Sequence, residues 1–269
     1  MNASPDNPSP DDARQGRATA AAMIIGDEIL SGRTQDTNLN DIAKYLAAQG
    51  VDLAEARVVG DVKDEIIAAL NALRAKYDYV LTTGGIGPTH DDITADCVAE
   101  AFGLALYEHP EIIATMTAKW GNELTTPARR RMARVPEGGS LVQNPAGGPP
   151  GFQIGNVFVL AGVPQIMRGM LEDVGWRLRR GAVRLSRSVR VEGFGEGVIA
   201  EPLARVAAAH PDLSIGSYPF FGPEGYGSSL VLRGLEADRL DAAVVELVVA
   251  LEGAGIAGIT LDEPSEASR

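Results

Sequence analysis

Strand, loop and helix signals meet in the segment Leu81-Thr82-Thr83-Gly84-Gly85-Ile86-Gly87-Pro88-Thr89-His90-Asp91-Asp92-Ile93-Thr94. Its apolar and β-branched start predicts a buried strand that ends at Thr83, and we expect a helix to open near Asp92. Glycines at three of the next four positions let backbone N–H groups approach an anion closely, and a helix N-terminus attracts the same anion. We interpret the segment, including Gly84, Gly85, Gly87 and Thr89, as a phosphate-binding loop.

The two carboxylates that end this loop, Asp91 and Asp92, would repel a phosphate. A divalent cation between the carboxylates and the phosphate oxygens removes the conflict, and Mg²⁺ commonly binds in this way. The alternative is an ordinary strand-to-helix turn in which one aspartate caps the helix. The glycines, the rigid Pro88 and the acidic pair coincide at the carboxyl end of a strand, which favours a ligand site.

Composition narrows the class of protein. The chain has 269 residues, of which 45% are apolar, and this is enough for one medium domain and a small one. Its net charge of −12 argues against nucleic-acid and membrane-surface binding. Cys97 is the only cysteine, which fits a packed thiol in the reducing cytoplasm. The first residues lack the apolar core of a signal peptide, and no run reaches membrane-spanning length.

Apolar periodicity predicts the domain organisation. Residues 1–18 are rich in Pro, Asp, Asn and Ser and are expected to form a disordered tail. Residues 19–178 alternate strand and helix patterns, which predicts β-α-β units and a mainly parallel sheet. Residues 184–255 predict a small α+β domain in the order β-α-β-β-α.

Further polar residues follow other predicted strands. Gly26, Asp27 and Glu28 come directly after the first strand, at the same sheet edge as the glycine loop. Asp27 is a candidate for a ribose or pterin contact or for the cation, or else an acid in a solvated turn. Asn38 belongs to a polar run suited to substrate contact. Asp61, between the second strand and a helix, suits an N-cap and a catalytic carboxylate equally well.

A second loop and a basic helix complete the candidates. The loop that starts at Asn144 precedes a strand ending in Gly162-Val163-Pro164, a junction that we expect to face the glycine loop across one crevice. The segment Arg129–Arg134 is predicted as a cationic helix on which Arg130 and Arg134 share a face. They either clamp a second phosphate or pair with nearby acids, and pairing is the favoured interpretation.

The motifs Ile25–Gly32, Thr34–Asn38, Thr83–Asp92, Asn144-Pro145 and Gly162-Val163-Pro164 together resemble the MoaB/Mog molybdopterin-binding domain. They are more similar still to the CinA (competence/damage-inducible protein A) branch and to the amino-terminal domain of eukaryotic FAD synthase. The resemblance implies a three-layer α/β/α fold, a homo-oligomer (dimer or trimer) and a crevice for a phosphorylated nucleotide or pterin.

The resemblance also implies roles for single residues. In Mog-type adenylyltransferases the acid after the second strand and the last acid of the glycine loop are catalytic, and the matching residues are Asp61 and Asp92. Asp91 and Asp92 match a metal site, with Mg²⁺, Mn²⁺ or Co²⁺ as the cofactor. The remaining motif residues correspond to substrate or phosphate contacts: Gly26, Asp27, Glu28, Asn38, Gly84, Gly85, Gly87, Pro88, Thr89, Asn144, Gly162, Val163 and Pro164.

Three functions remain open at this stage. CinA-like proteins and the FAD synthase domain imply a metal-assisted pyrophosphatase acting on ADP-ribose- or FAD-like dinucleotides. The second possibility is a molybdopterin-handling adenylyltransferase, although Asp91-Asp92 replaces the Arg-Asp pair of Mog proteins. The third is a nucleotide-binding sensor without catalytic activity.

Overall fold

The computed structural model describes residues 17–222, 225–262 and 265–266 and divides the chain into two compact units. The first unit is Ala18–Gly181, and the second contains the described residues from Ala182 onward. Residues 1–16 of the predicted tail lie outside the described residues. Ala18 is buried and its carbonyl accepts a hydrogen bond from the amide of Asp52, so the first unit begins there. Across the described ranges, no helix has both the length and the apolar character needed to span a bilayer.

The first unit is built around a six-stranded sheet in the order β2-β1-β3-β8-β7-β6. Neighbours among β2, β1, β3 and β8 are parallel, whereas β7 and β6 are antiparallel additions. The strands of this unit are β1 (Thr19–Ile25), β2 (Asp52–Val59), β3 (Tyr79–Thr83), β4 (Leu106–Glu108), β5 (Arg134–Pro136), β6 (Ser140–Val142), β7 (Gly151–Ile154) and β8 (Val157–Leu160). The helices are α1 (Asp27–Leu30), α2 (Asn38–Ala48), α3 (Lys63–Lys76), α4 (Thr94–Phe102), α5 (Pro110–Trp120), α6 (Pro127–Arg130) and α7 (Pro164–Val174).

Helices cover both faces of this sheet. Successive residues of a strand point to opposite faces, and in β1 both sets are buried. Met23 and Ile25 belong to a core shared with α3, α4 and α5, whereas Ala20 and Ala22 belong to a core shared with α2 and α7. The three-layer α/β/α fold is therefore confirmed. Cys97 is buried in the first of these cores, and burial raises the pKa of its thiol to about 11.

The sequence prediction was wrong around the basic segment. The helix α6 ends at Arg130, a 3₁₀ turn follows over Arg131–Ala133, and Arg134 begins β5. Arg130 and Arg134 therefore do not share a helix face. The strands β4, β5 and β6 were not predicted because three residues are too few to show an alternating pattern.

The described part of the second unit contains three strands and two helices in the order β-α-β-β-α, followed by two further short strands. Its elements are β9 (Leu185–Glu192), α8 (Glu196–Ala209), β10 (Ser214–Gly222), β11 (Gly225–Gly234), α9 (Ala237–Gly253), β12 (Ile259–Leu261) and β13 (Ser265–Glu266). The strands form an antiparallel sheet in which β12 and β13 both pair with β9. Apolar residues of α8 and α9 form one buried core with residues of β9 and β11.

Gly84 lets the backbones at the carboxyl ends of β1 and β3 approach closely. Its φ of 101° lies in the region that favours glycine, and a Cβ there would lie 2.1 Å from the carbonyl oxygen of Ile25. Because the obstructing atom belongs to a buried strand, it cannot move aside without distorting the sheet. A residue with a side chain at this position would therefore push apart the loops that follow β1 and β3.

We predict that Gly84→Ala destabilises the first unit by about 3 kcal/mol or more, because the backbone clash adds to the φ strain. The control is Gly32→Ala, which has a φ of 72° but no atom within 4 Å of the added Cβ, and should cost about 1 kcal/mol. Urea unfolding followed by tryptophan fluorescence measures this unit, since both tryptophans, Trp120 and Trp176, lie in it. Equal losses in the two variants would show that the close approach is unimportant.

Candidate active site

The candidate site is a cleft at the carboxyl ends of β1, β2 and β3, which are neighbours in the sheet. Its volume is about 540 Å³. Loops from three parallel strands meet here because parallel neighbours end at the same edge. The acidic residues that line the cleft are Asp27, Glu28, Asp61, Asp91 and Asp92.

Asp27 and Asp61 are joined by two reciprocal hydrogen bonds, each from the backbone amide of one residue to the carboxylate of the other. The amide of Asp27 donates to Oδ2 of Asp61 at 3.0 Å, and the amide of Asp61 donates to Oδ1 of Asp27 at 3.3 Å. Asp27 follows β1 and Asp61 follows β2, so this reciprocal pair joins the ends of adjacent strands. One oxygen of each carboxylate is thereby engaged, and the other has no hydrogen bond to the residues that the structure describes.

Burial, together with nearby negative charges, disfavours the ionised form of Asp61. Its pKa is raised above the usual aspartate value, first by burial and then by the negative charges of Asp27, Glu28 and Asp91, despite the hydrogen bond from the amide of Asp27. The carboxylate thus lies where a negative charge is disfavoured. Such a group gains from a nearby cation and accepts a proton more readily than a solvated aspartate does.

Gly85 is the residue of the glycine loop that lines this cleft, whereas Ile86 and Gly87 line a smaller adjoining cavity together with Gly85, Asp92 and Arg131. Gly84 does not contribute a free donor, because its amide donates to the carbonyl of Leu160 at 3.4 Å as an extension of the sheet. The amides of Gly85, Ile86 and Gly87 donate to no protein group in the described ranges. Three consecutive free N–H groups form the kind of backbone cradle that binds phosphate oxygens.

Asp92 is held in place at the end of the loop. Its Oδ2 accepts from the amide of Thr89 at 2.7 Å and from the Thr89 hydroxyl at 2.5 Å. A Cβ at Gly87 would lie 2.7 Å from the same oxygen, so the carboxylate packs directly on the loop backbone. Oδ1 of Asp92 has no hydrogen bond within the described residues and remains available to a ligand.

The helix after the loop starts later than predicted. α4 begins at Thr94, whose amide donates to the carbonyl of Gly85 at 3.0 Å and whose hydroxyl donates to the carbonyl of Gly84 at 2.9 Å. The first turn of α4 thus closes the loop onto the strand end. Asp92 precedes the helix and does not cap it, so the capping alternative is not the arrangement found.

Asn38, Gly162, Val163, Pro164 and Asn144 do not line the cleft. Asn38 is buried, and its side-chain amide donates to the carbonyl of Gly162 at 2.8 Å. It therefore links the start of α2 to the loop after β8 and is not placed to contact a ligand in the cleft. Gly162 lies against Gly84, as expected for the loop after β8. Val163 and Pro164 start α7, and the Asn144 side chain hydrogen-bonds within its own loop, donating to the carbonyl of Pro149 and accepting from the amide of Ala146.

Of the other predicted contacts, Gly26 and Gly85 line the cleft, Gly87 supports Asp92, and Pro88 is exposed beside Thr89. His90 is fully exposed, with Nδ1 3.8 Å from Oδ1 of Asp91. This position gives His90 no partner that would make it a general base.

Arg130 and Arg134 each pair with a carboxylate. Arg130 contacts Glu108, and Arg134 makes a two-pronged contact with Asp96 at 2.8 and 2.6 Å. The two arginines therefore do not form a phosphate clamp, in agreement with the favoured interpretation.

Two arginines near the site have positions that the sequence did not indicate: Arg131, which was predicted only as part of the cationic helix, and Arg33. Arg131 donates to the backbone carbonyl of Asp92 at 3.0 Å and so steadies the loop. Arg33 lines the cleft itself. Its position in an irregular loop between α1 and α2 gives no periodic signal, so only its proximity in space to the acids reveals it.

A resident metal would have few protein ligands here. Within the described residues, no group of three or more His, Cys, Asp or Glu side chains is arranged to hold an ion. The free oxygens of Asp91 and Asp92 fit a hard cation that takes one or two carboxylates and completes its shell with water and phosphate oxygens, as Mg²⁺ does.

The parallel sheet, the free loop amides and the acidic cleft define an α/β ligand-binding protein. A family model described as "Probable molybdopterin binding domain" matches residues 21–180, and one described as "FAD synthase, middle domain" matches residues 185–258. A protein from Archaeoglobus fulgidus is 36% identical over 197 residues, which is 73% of this chain and 84% of that protein. A CinA-like protein from Gemmatimonas aurantiaca is 32% identical over 244 residues, covering 85% of this chain and 56% of that protein.

The crystal structure of CinA from Thermoplasma acidophilum matches with a TM-score of 0.57 and 33% sequence identity, covering 60% of this chain and 98% of that one. The chain belongs to the molybdopterin-binding domain family, in its CinA-like branch. It spans about half the length of the CinA-like relatives that it matches. The family resemblance inferred from the motifs is therefore confirmed.

We predict that Asp61→Asn stabilises the first unit at pH 7, raising its Tm by about 2 °C, because it removes a disfavoured charge and keeps an oxygen that accepts from Asp27. The folded-state pKa of Asp61 is raised, so the folded chain binds this proton more tightly than the unfolded chain. The wild-type protein therefore loses stability as pH rises through that pKa, and the advantage of the variant disappears below about pH 4.

Thermal unfolding followed by tryptophan fluorescence at several pH values measures the effect. Asp64→Asn is the control, because Asp64 is an exposed acid in the first turn of α3. It should give no gain at pH 7. A lower Tm for Asp61→Asn at pH 7 would contradict the claim that the folded protein disfavours the ionised carboxylate of Asp61.

Proposed function

We propose that this protein is a metal-assisted pyrophosphatase that cleaves the diphosphate of ADP-ribose- or FAD-like dinucleotides. The observation that carries the proposal is a cleft of about 540 Å³ that is lined by several carboxylates and by Gly85, the first of three successive residues whose amides have no hydrogen-bond partner among the described residues. Amides bind phosphate oxygens, and carboxylates bind the cation that a diphosphate carries. A site for an uncharged ligand needs neither group.

Asp91 and the free oxygen of Asp92 are the residues suited to hold the cation. When bound, a divalent ion neutralises charge on the phosphoryl oxygens. The protein contributes mainly position and electrostatic balance, which is what phosphoryl transfer requires. Thr89 fixes the direction of the Asp92 carboxylate, and Arg131 fixes the backbone behind it.

Asp61 is the residue placed to act on water. Its Oδ2 is held by the amide of Asp27, so Oδ1 is free to accept a hydrogen bond from water. The water oxygen attacks one phosphorus, the bond from that phosphorus to the bridging oxygen breaks, and the bridging oxygen leaves on the other phosphate. The water proton passes to Asp61 and then to solvent. ADP-ribose would yield AMP and ribose 5-phosphate.

A second candidate is a molybdopterin-handling or adenylyl-transferring enzyme. The match of residues 21–180 to a probable molybdopterin-binding domain favours it, and a pterin phosphate carries the same anionic group that the loop amides bind. Incubation with ATP and molybdopterin, compared with ADP-ribose or FAD alone, separates the two candidates by the identity of the product. An adenylylated pterin supports the second candidate, and AMP released from the dinucleotide supports the first.

We predict that Asp92→Asn lowers kcat/KM for ADP-ribose by about 100-fold or more, because it removes a charge that binds the cation. The asparagine oxygen still accepts from Thr89, so folding should be preserved. The control is Asp238→Asn, an exposed acid in the first turn of α9, which should leave turnover unchanged. AMP release with Mg²⁺, Mn²⁺ or Co²⁺ is the measurement, and full activity in Asp92→Asn would contradict the assigned role.

A further inference from the structure

Arg33 differs from the acidic side chains that line the cleft because it carries the opposite charge. It nevertheless makes no hydrogen bond or ion pair with any residue that the structure describes. An arginine close to several carboxylates usually pairs with one of them. The absence of such a pair leaves its five donors available to a ligand.

Three of the carboxylates that line the cleft are hydrogen-bonded to groups other than Arg33. Asp27 and Asp61 each accept a backbone amide of the other, and Asp92 accepts both donors of Thr89. These bonds direct one oxygen of Asp27 and one of Asp61 toward each other's backbone, and one oxygen of Asp92 toward Thr89. Arg33 is therefore close to negative charge without being held by it.

The backbone on both sides of Arg33 is well fixed. The amide of Thr34 donates to the carbonyl of Glu28 at 3.0 Å, and the amide of Gly32 donates to the carbonyl of Ile29 at 3.1 Å. The side chain of Asp36 then accepts from the amide of Leu39, in the first turn of α2, at 3.0 Å. The exposed side chain of Arg33 thus extends from a rigid loop, which limits the entropy lost when it binds an anion.

The other arginines near the loop do not have this freedom. Arg130 and Arg134 pair with Glu108 and Asp96, and Arg131 donates to the carbonyl of Asp92. Gly85 lines the cleft together with Arg33, and its free amide, followed by those of Ile86 and Gly87, provides donors for one phosphate. A second phosphate of the same ligand needs its own donor, and a guanidinium binds two phosphate oxygens at once.

We propose that Arg33 binds the second phosphate of the diphosphate, while the glycine-loop amides bind the first, and that Arg33 thereby makes the site selective for diphosphates over monophosphates. This inference rests on the proposed function only in taking a diphosphate as the ligand. It adds a specificity-determining residue that neither the motifs nor the resemblance indicated.

The test is calorimetric titration, with Mg²⁺ present, of AMP and of α,β-methylene ADP-ribose, whose carbon bridge resists hydrolysis. For Arg33→Gln we expect affinity for the methylene analogue to fall at least about tenfold, and affinity for AMP to change less than about threefold. Arg33→Lys should recover part of the loss, because it restores the charge without the planar fork. The charge-matched control is Arg205→Gln in the second unit, which should bind like the wild-type protein.

The outcomes separate this inference from the proposed function. Equal affinity of wild type and Arg33→Gln for the analogue overturns the role of Arg33, even if the wild-type protein hydrolyses ADP-ribose. Arg33-dependent binding without AMP release from ADP-ribose supports the role of Arg33 and contradicts the pyrophosphatase. Equal losses for the analogue and for AMP overturn the selectivity, and a wild-type protein that does not bind the analogue contradicts both proposals. Circular dichroism of each variant confirms that its fold is intact.

Discussion

The gathering of five acidic side chains at the ends of β1, β2 and β3, with Asp61 partly buried among them, is the constraint on which the site depends. The pKa of Asp61 rises because burial and the charges of Asp27, Glu28 and Asp91 all disfavour its ionised form. A protein selected only for stability would not gather these acids at one sheet edge. Backbone amides stabilise part of the arrangement through the Asp27–Asp61 pair, and the remaining negative charge is available to a cation that a ligand brings.

The order of the strands in the sheet is the main reason that these groups lie together. Because β2, β1 and β3 are adjacent and parallel, residues that follow each strand meet at one edge without long excursions. Gly84 allows the β1 and β3 ends to approach, and Thr94 ties the loop back to the strand end through its hydroxyl and amide. The acids and the free amides of the glycine loop are therefore positioned by the sheet, which favours a preorganised site.

Much of the fold and of the arrangement of acids around the cleft was predictable from the sequence, and the features that were not predicted have physical explanations. The positions of Asp27, Asp61 and Asp92 around one cleft followed from the rule that parallel strands end together. Pairing of Arg134 with an acid was the favoured expectation, but the identity of its partner, Asp96, and the start of β5 at that arginine were not predictable, because they depend on contacts between residues far apart in the chain. The position of Arg33 in the cleft was not predicted for a related reason. It lies in an irregular loop, whose sequence has no periodic pattern that would indicate which residues it approaches.

Isothermal titration of the wild-type protein with α,β-methylene ADP-ribose, with Mg²⁺ and then with EDTA, tests the central claim most directly. If the acids around the cleft repel a bare diphosphate, removing the cation should weaken binding by at least about 100-fold, because uncompensated like charges at short range cost several kcal/mol in a partly buried site. Affinity that stays within about twofold in EDTA would show that the carboxylates do not act through a cation.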